Sequence, residues 1–151
     1  MLFRSGPAIV WMHGTPGARR QIPVDARAYA EEVGARIIGV DRPGIGSSTP
    51  HLYDNVLDWT GDLALLLDAL AIDSARVIGL SGGGPYALAA GAALPDRVPG
   101  VGVLGGVAPT RGEDAADGGR FILSTGDQCG RDTPFENLRA MIETARTYGR
   151  Y

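Results

Sequence analysis

Short apolar runs, each closed by a glycine-rich break, alternate along this chain with longer segments of three- and four-residue periodicity. Residues 8–13 (Ala-Ile-Val-Trp-Met-His) are rich in strand formers and end in Gly14-Thr15-Pro16-Gly17, the pattern of a buried strand feeding a tight loop. Residues 24–34 predict a helix, with Ala28 and Val33 inward, Glu31 and Glu32 in water and Gly34 as a left-handed cap. Residues 36–41 predict a second strand, and 42–50 a Gly/Pro/Ser-rich loop. The clearest helix is 55–71, where Val56, Trp59, Leu63, Leu66, Leu67 and Leu70 share a face and Asp54 or Asn55 can cap the start. A third strand spans 75–80, a small-residue helix 84–94 carries Pro85 in its first turn, and a Gly-rich fourth strand spans 99–107.

Strands alternating with helices argue for an α/β fold, a three-layer sandwich whose mostly parallel sheet is covered on both faces. Ligands of such sheets bind at the carboxyl ends of the strands, where each glycine-rich loop of this chain emerges. Beyond residue 107 the pattern weakens. Residues 109–119 read as a polar linker, 121–124 as one more strand and 135–148 as one more helix. The expected organisation is a core over 1–107, with a linker and a terminal strand and helix of the same domain over 108–151.

Composition narrows the function. A length of 151 residues fits one domain with a core. The 14 basic residues, all Arg, are scattered among 17 acidic ones, which excludes nucleic acid as the expected partner. No apolar run reaches the ~18–20 residues of a membrane span, and residues 1–7 lack a signal-peptide core. A single cysteine, Cys129, cannot form an internal disulfide or a multi-cysteine metal site, so a reducing cytoplasm is expected.

Gly79-Leu80-Ser81-Gly82-Gly83 carries the candidate chemistry. It fits G-x-S-x-G, in which a serine stands on a strained strand-to-helix turn and the residues two away must be small. The alternative is a glycine-rich turn whose serine merely caps the helix. In acyl transfer two main-chain N–H groups hold the developing oxyanion. Gly82, next to the serine, offers one, and Thr15 is the candidate second, unless residues 13–17 are an ordinary loop. Phosphate binding is disfavoured: the glycines are out of register for G-x-G-x-x-G, and no G-K-S/T follows. A dinucleotide site would use Asp41 on ribose, but the same glycine spacing fails.

His13-Gly14-Thr15-Pro16-Gly17, Asp41-Arg-Pro-Gly-Ile-Gly-Ser-Ser48 and Gly79-Leu-Ser-Gly-Gly-Gly84, each after a strand and in this order, resemble the α/β-hydrolase fold family over residues 8–107. The resemblance is to its lidded subgroup of proline iminopeptidase-like, epoxide hydrolase-like and carboxylesterase-like enzymes. It implies a strand order of second, first, third, fourth. It also implies Ser81 as nucleophile, Thr15 and Gly82 as oxyanion donors, and His13, Gly14, Gly79 and Gly83 as structural parts of the motifs. Asp41 would hold its loop. Epoxide hydrolases and haloalkane dehalogenases of this fold use Asp at the nucleophile position, so a serine favours esters, amides or thioesters.

The family's triad order is Ser, then Asp or Glu, then His. No histidine follows Ser81 here; the two histidines are His13 and His51. For the acid, Asp132 or Asp127 stands near the expected place, which Cys129 occupies, although both also read as plain loop aspartates. The family's early strands and its lid are short or absent, as in a truncated frame, a fragment or a degenerate homologue. The expectation is therefore a partial, impaired serine hydrolase with a small-molecule acyl substrate and no metal or cofactor. The alternative is a binding protein that keeps the scaffold. Exposed sheet edges would favour self-association.

Overall fold

The computed structural model describes residues 6–107 and Arg139. Strands and helices alternate: β1 (Ala8–Met12), α1 (Val24–Glu32), β2 (Arg36–Val40), α2 (Trp59–Ala69), β3 (Ala75–Leu80), α3 (Gly84–Ala93) and β4 (Val101–Leu104). A single 3₁₀ turn, Ser81–Gly83, joins β3 to α3. The chain divides into two compact units, Met1–Gly106 and Val107–Tyr151, and these elements all lie in the first. The expected terminal strand at 121–124, the linker, Cys129, Asp127 and Asp132 lie outside the described residues, as does the expected helix at 135–148 apart from Arg139.

The four strands are parallel in the order β2-β1-β3-β4, as the motifs implied. Alternation along the strands decides what is buried. Ala8, Val10 and Met12 of β1, with Ala75 and Val77 of β3, join Leu63 and Leu67 of α2 and Ala87 and Ala90 of α3 in one apolar cluster. The small side chains of α3 let that helix lie close to the sheet. Among the described residues β2 and β4 are the edge strands.

Three local expectations change. Helix α2 begins at Trp59, four residues later than its periodicity implied. Asn55 Oδ1 accepts the Leu57 N–H at 2.8 Å, and the Asp58 carboxylate accepts the Asn55 N–H at 3.1 Å. These short polar side chains bind the local backbone in a turn that competes with helix. Neither Asp54 nor Asn55 caps α2, whose first turn receives no side-chain bond. Helix α1 buries only Ala30, so Ala28 and Val33 face outward and Tyr29 is 63% exposed. Strand β4 spans four residues rather than the nine of 99–107, and Gly105, at φ +54°, turns the chain away after it.

Candidate active site

Register brings the key residues to one edge. Met12 lies opposite both Val40 and Gly79, so His13 and Asp41 leave β1 and β2 in the row of Leu80, with Ser81 one residue beyond. The chain runs from β1 to β2 on one side and from β3 to β4 on the other. Loops after β1 and β3 therefore part and leave a crevice, the usual ligand position of an open parallel sheet. Gly14, Thr15, Ser81 and Gly82 stand there: a Cβ added to Gly14 would lie 3.3 Å from Ser81 Cβ, and one added to Gly82 would lie 2.7 Å from Thr15 Oγ1.

Ser81 has φ +48°, a left-handed conformation that costs a non-glycine residue energy. Packing on both sides enforces it. A Cβ on Gly79 would fall on the Gly83 carbonyl and 2.8 Å from Gly84 Cα; one on Gly83 would fall on the Met12 carbonyl and 2.9 Å from His13 O. The turn thus closes down onto β1 only because both flanking residues are glycine. Ser81 and Gly82 remain half-buried while Gly83 is buried.

His13 is fully buried and spends both ring nitrogens. Its Nε2 accepts the Arg42 main-chain N–H at 3.2 Å, which leaves the proton on Nδ1 to be donated to Gly14 O at 2.7 Å. Gln21 Oε1 accepts the Gly14 N–H at 2.8 Å. The Arg42 guanidinium donates to Gly82 O at 3.1 Å, to Gly14 O at 3.0 Å and to Thr15 Oγ1. Apart from any bond within the 3₁₀ turn itself, the Thr15 and Gly82 N–H groups donate to no main-chain group among the described residues.

Asp41 holds the loop after β2. Its side chain is buried and accepts the Arg19 N–H at 2.6 Å, the Arg19 guanidinium and the Ser47 N–H at 3.4 Å. The Arg19 main-chain N–H is the largest cause that holds the Asp41 carboxyl below the usual carboxylate range, with the Arg19 side chain adding to it against the effect of burial. Gly46, at φ +59°, presses on that carboxylate, where a Cβ would lie 2.7 Å from Cγ.

His51 lies in the same loop, edge-on to Tyr53 at 4.6 Å between ring centroids. The Tyr53 hydroxyl donates to Asp62, and burial first, then that bond, raises its pKa. A cavity of about 360 Å³ opens here between the loop and α2, lined by Pro43, Pro50, His51, Tyr53, Trp59 and Leu66 among others, and neither Ser81, Thr15 nor Gly82 reaches it.

The fold thus gathers Ser81, Gly82, Gly79, Gly83, His13, Gly14 and Thr15, while Asp132 lies outside the described residues. Sequence reasoning missed Gln21 and Arg42. Arg42 stands inside the Asp41–Ser48 motif, and that was a usable signal; Gln21 carries none.

The family model for the alpha/beta hydrolase fold matches residues 7–123. The chain belongs to the alpha/beta hydrolase fold family. Within it, the chain is 40% identical over 119 residues to an epoxide hydrolase from Caballeronia sordidicola, covering 74% of this chain and 34% of that protein. It is 37% identical over 105 residues to a proline iminopeptidase from Arabidopsis thaliana, covering 68% of this chain and 27% of that protein. Among solved structures, an alpha/beta hydrolase fold protein from Nakamurella multipartita superposes with TM-score 0.55 at 27% identity, over 95% of this chain and 46% of that one. The chain spans about a third or less of the length of the two enzymes.

Proposed function

We propose that this domain is the nucleophile-bearing core of a serine hydrolase acting by acyl transfer on a small ester, amide or thioester. The observation that carries the reading is Ser81 at φ +48° on a turn that only glycine neighbours permit, beside the Gly14-Thr15 loop. The Ser81 hydroxyl adds to the carbonyl carbon, and the carbonyl electron pair moves onto oxygen, where the Thr15 and Gly82 N–H groups hold it. Collapse breaks the bond to the leaving alcohol, amine or thiol, which departs with the serine proton. Water then cleaves the acyl-serine, releasing the acid and restoring the hydroxyl. Serine at position 81 favours this chemistry over that of the epoxide hydrolase relative, since such enzymes of this fold use aspartate there. Esterase chemistry is the simplest case, and the lone cysteine fits a cytoplasmic setting.

Among the described residues, neither histidine is placed to serve Ser81 as a general base. His13 has both nitrogens engaged, His51 packs on Tyr53, and no histidine follows the serine. A hydroxyl without a base is a poor nucleophile. That observation favours a second reading, a binding protein that retains the crevice without turnover. The hydrolysis rate of p-nitrophenyl acetate separates the two. The hydrolase reading expects a feeble rate above that of the urea-unfolded chain, because an intact oxyanion site retains about 10³–10⁴-fold over water without a full triad. Ser81→Ala and His51→Ala should each leave most of that rate. A rate equal to the unfolded chain's selects the binding protein, and a robust rate that collapses in both variants identifies His51 as the base and overturns the account.

A further inference from the structure

We propose that Arg42 is the positioning residue of the oxyanion site, fixing the direction of the Thr15 N–H and the gap between Thr15 and Gly82; the proposal rests on the reading that these two N–H groups hold the oxyanion. The Gly14–Thr15 peptide is trans, and in a trans peptide the N–H points opposite to the C=O. Whatever holds Gly14 O therefore aims the Thr15 N–H. Two donors hold it, His13 Nδ1 at 2.7 Å and Arg42 Nη2 at 3.0 Å, which together use both carbonyl lone pairs. Arg42 stands behind both, since its own main-chain N–H bonds His13 Nε2 and so sets the tautomer that donates.

The same guanidinium spans the crevice. From one planar fork it donates to Gly14 O and Thr15 Oγ1 on the β1 loop and to Gly82 O on the nucleophile turn. No other described side chain bonds both loops. The fork is itself supported from the core: Arg42 Cζ lies 5.5 Å from the centroid of the Tyr86 ring, and Tyr86 meets buried Trp59 edge-on at 5.4 Å. Its three hydrogen-bond acceptors are neutral and it forms no ion pair among the described residues. A lysine ammonium cannot reproduce a planar fork across two loops.

The experiment uses the whole chain with arginine at position 42, and Arg42→Lys and Arg42→Ala variants. Two readouts are taken: saturation kinetics on p-nitrophenyl acetate, and the amide ¹H–¹⁵N resonances. Misplacing an oxyanion donor should lower kcat about 10- to 100-fold in Arg42→Ala, with KM changed less than about twofold and partial recovery in Arg42→Lys. The Thr15 and Gly82 amides should shift in Arg42→Ala while those of Asp25 and Glu31 on α1 stay in place. Unchanged kcat together with unmoved Thr15 and Gly82 amides overturns the proposal. So does an equal loss of dispersion across all amides in both variants, which would make Arg42 a general fold support. If no form turns over ester, the hydrolase reading fails, and the amide shifts alone still decide whether Arg42 orients these two groups.

Discussion

Two residues at the crevice edge show how side-chain chemistry becomes backbone geometry. Gly83 is closed in by the carbonyls of Met12 and His13, so the turn carrying Ser81 seats directly on the end of β1. Asp41 does the same for the next loop by accepting main-chain and side-chain bonds from Arg19, and these favour its ionised form. Its pKa is lower folded than unfolded, so its contribution to stability is fully present above the unfolded value of about 3.9 and is lost as pH falls through the depressed one. Thermal unfolding midpoints of wild-type and Asp41→Asn chains followed against pH should differ by a constant amount above about pH 5 and converge below about pH 4. A gap that widens on acidification would contradict the assignment. The Ser81 motif was legible in the sequence because glycine at 79 and 83 is a steric demand written as residue type. Arg42 was marked by its place in the Asp41–Ser48 motif, but its task was not legible, because its partners, two main-chain carbonyls and the Thr15 hydroxyl, lie up to 40 residues away.

At the level of elements, α2 and α3 carry the packing and α1 contributes little. Leu67 of α2 is fully buried in the apolar cluster, while Leu65 on the same helix is 68% exposed. Leu67→Ala should destabilise the domain by about 2–5 kcal/mol through lost burial and the cavity left behind. Leu65→Ala should stay within about 0.5 kcal/mol. Urea unfolding of both variants measures the contrast, and equal losses would mean that α2 is rotated from the orientation described. The strands were legible because a buried parallel strand is a short apolar run, and β3 occupies the residues its composition marked out. The start of α2 was not, because the apolar period continues through Val56 while Asn55 and Asp58 bind the backbone into a turn. The outward face of α1 was hidden for a related reason: so short a helix has too few apolar positions to fix which side faces the sheet.

For the molecule as a whole, one topological fact makes the site. β1 lies between β2 and β3, so the loops after β1 and β3 lead away to opposite sides, and Ser81, Thr15 and Gly82 stand close together at the edge of one shared gap. The order was legible from three motifs in sequence, whereas Asp132, the candidate acid, lies outside the described residues. The most direct test of this shared gap is a titration of the ¹⁵N-labelled chain with methylphosphonate, a tetrahedral anion resembling the oxyanion of acyl transfer. The account predicts that the Thr15 and Gly82 amide resonances move together and saturate with one apparent Kd, while those around the cavity beside His51 stay still. Shifts at the His51 cavity with both Thr15 and Gly82 unmoved would contradict it.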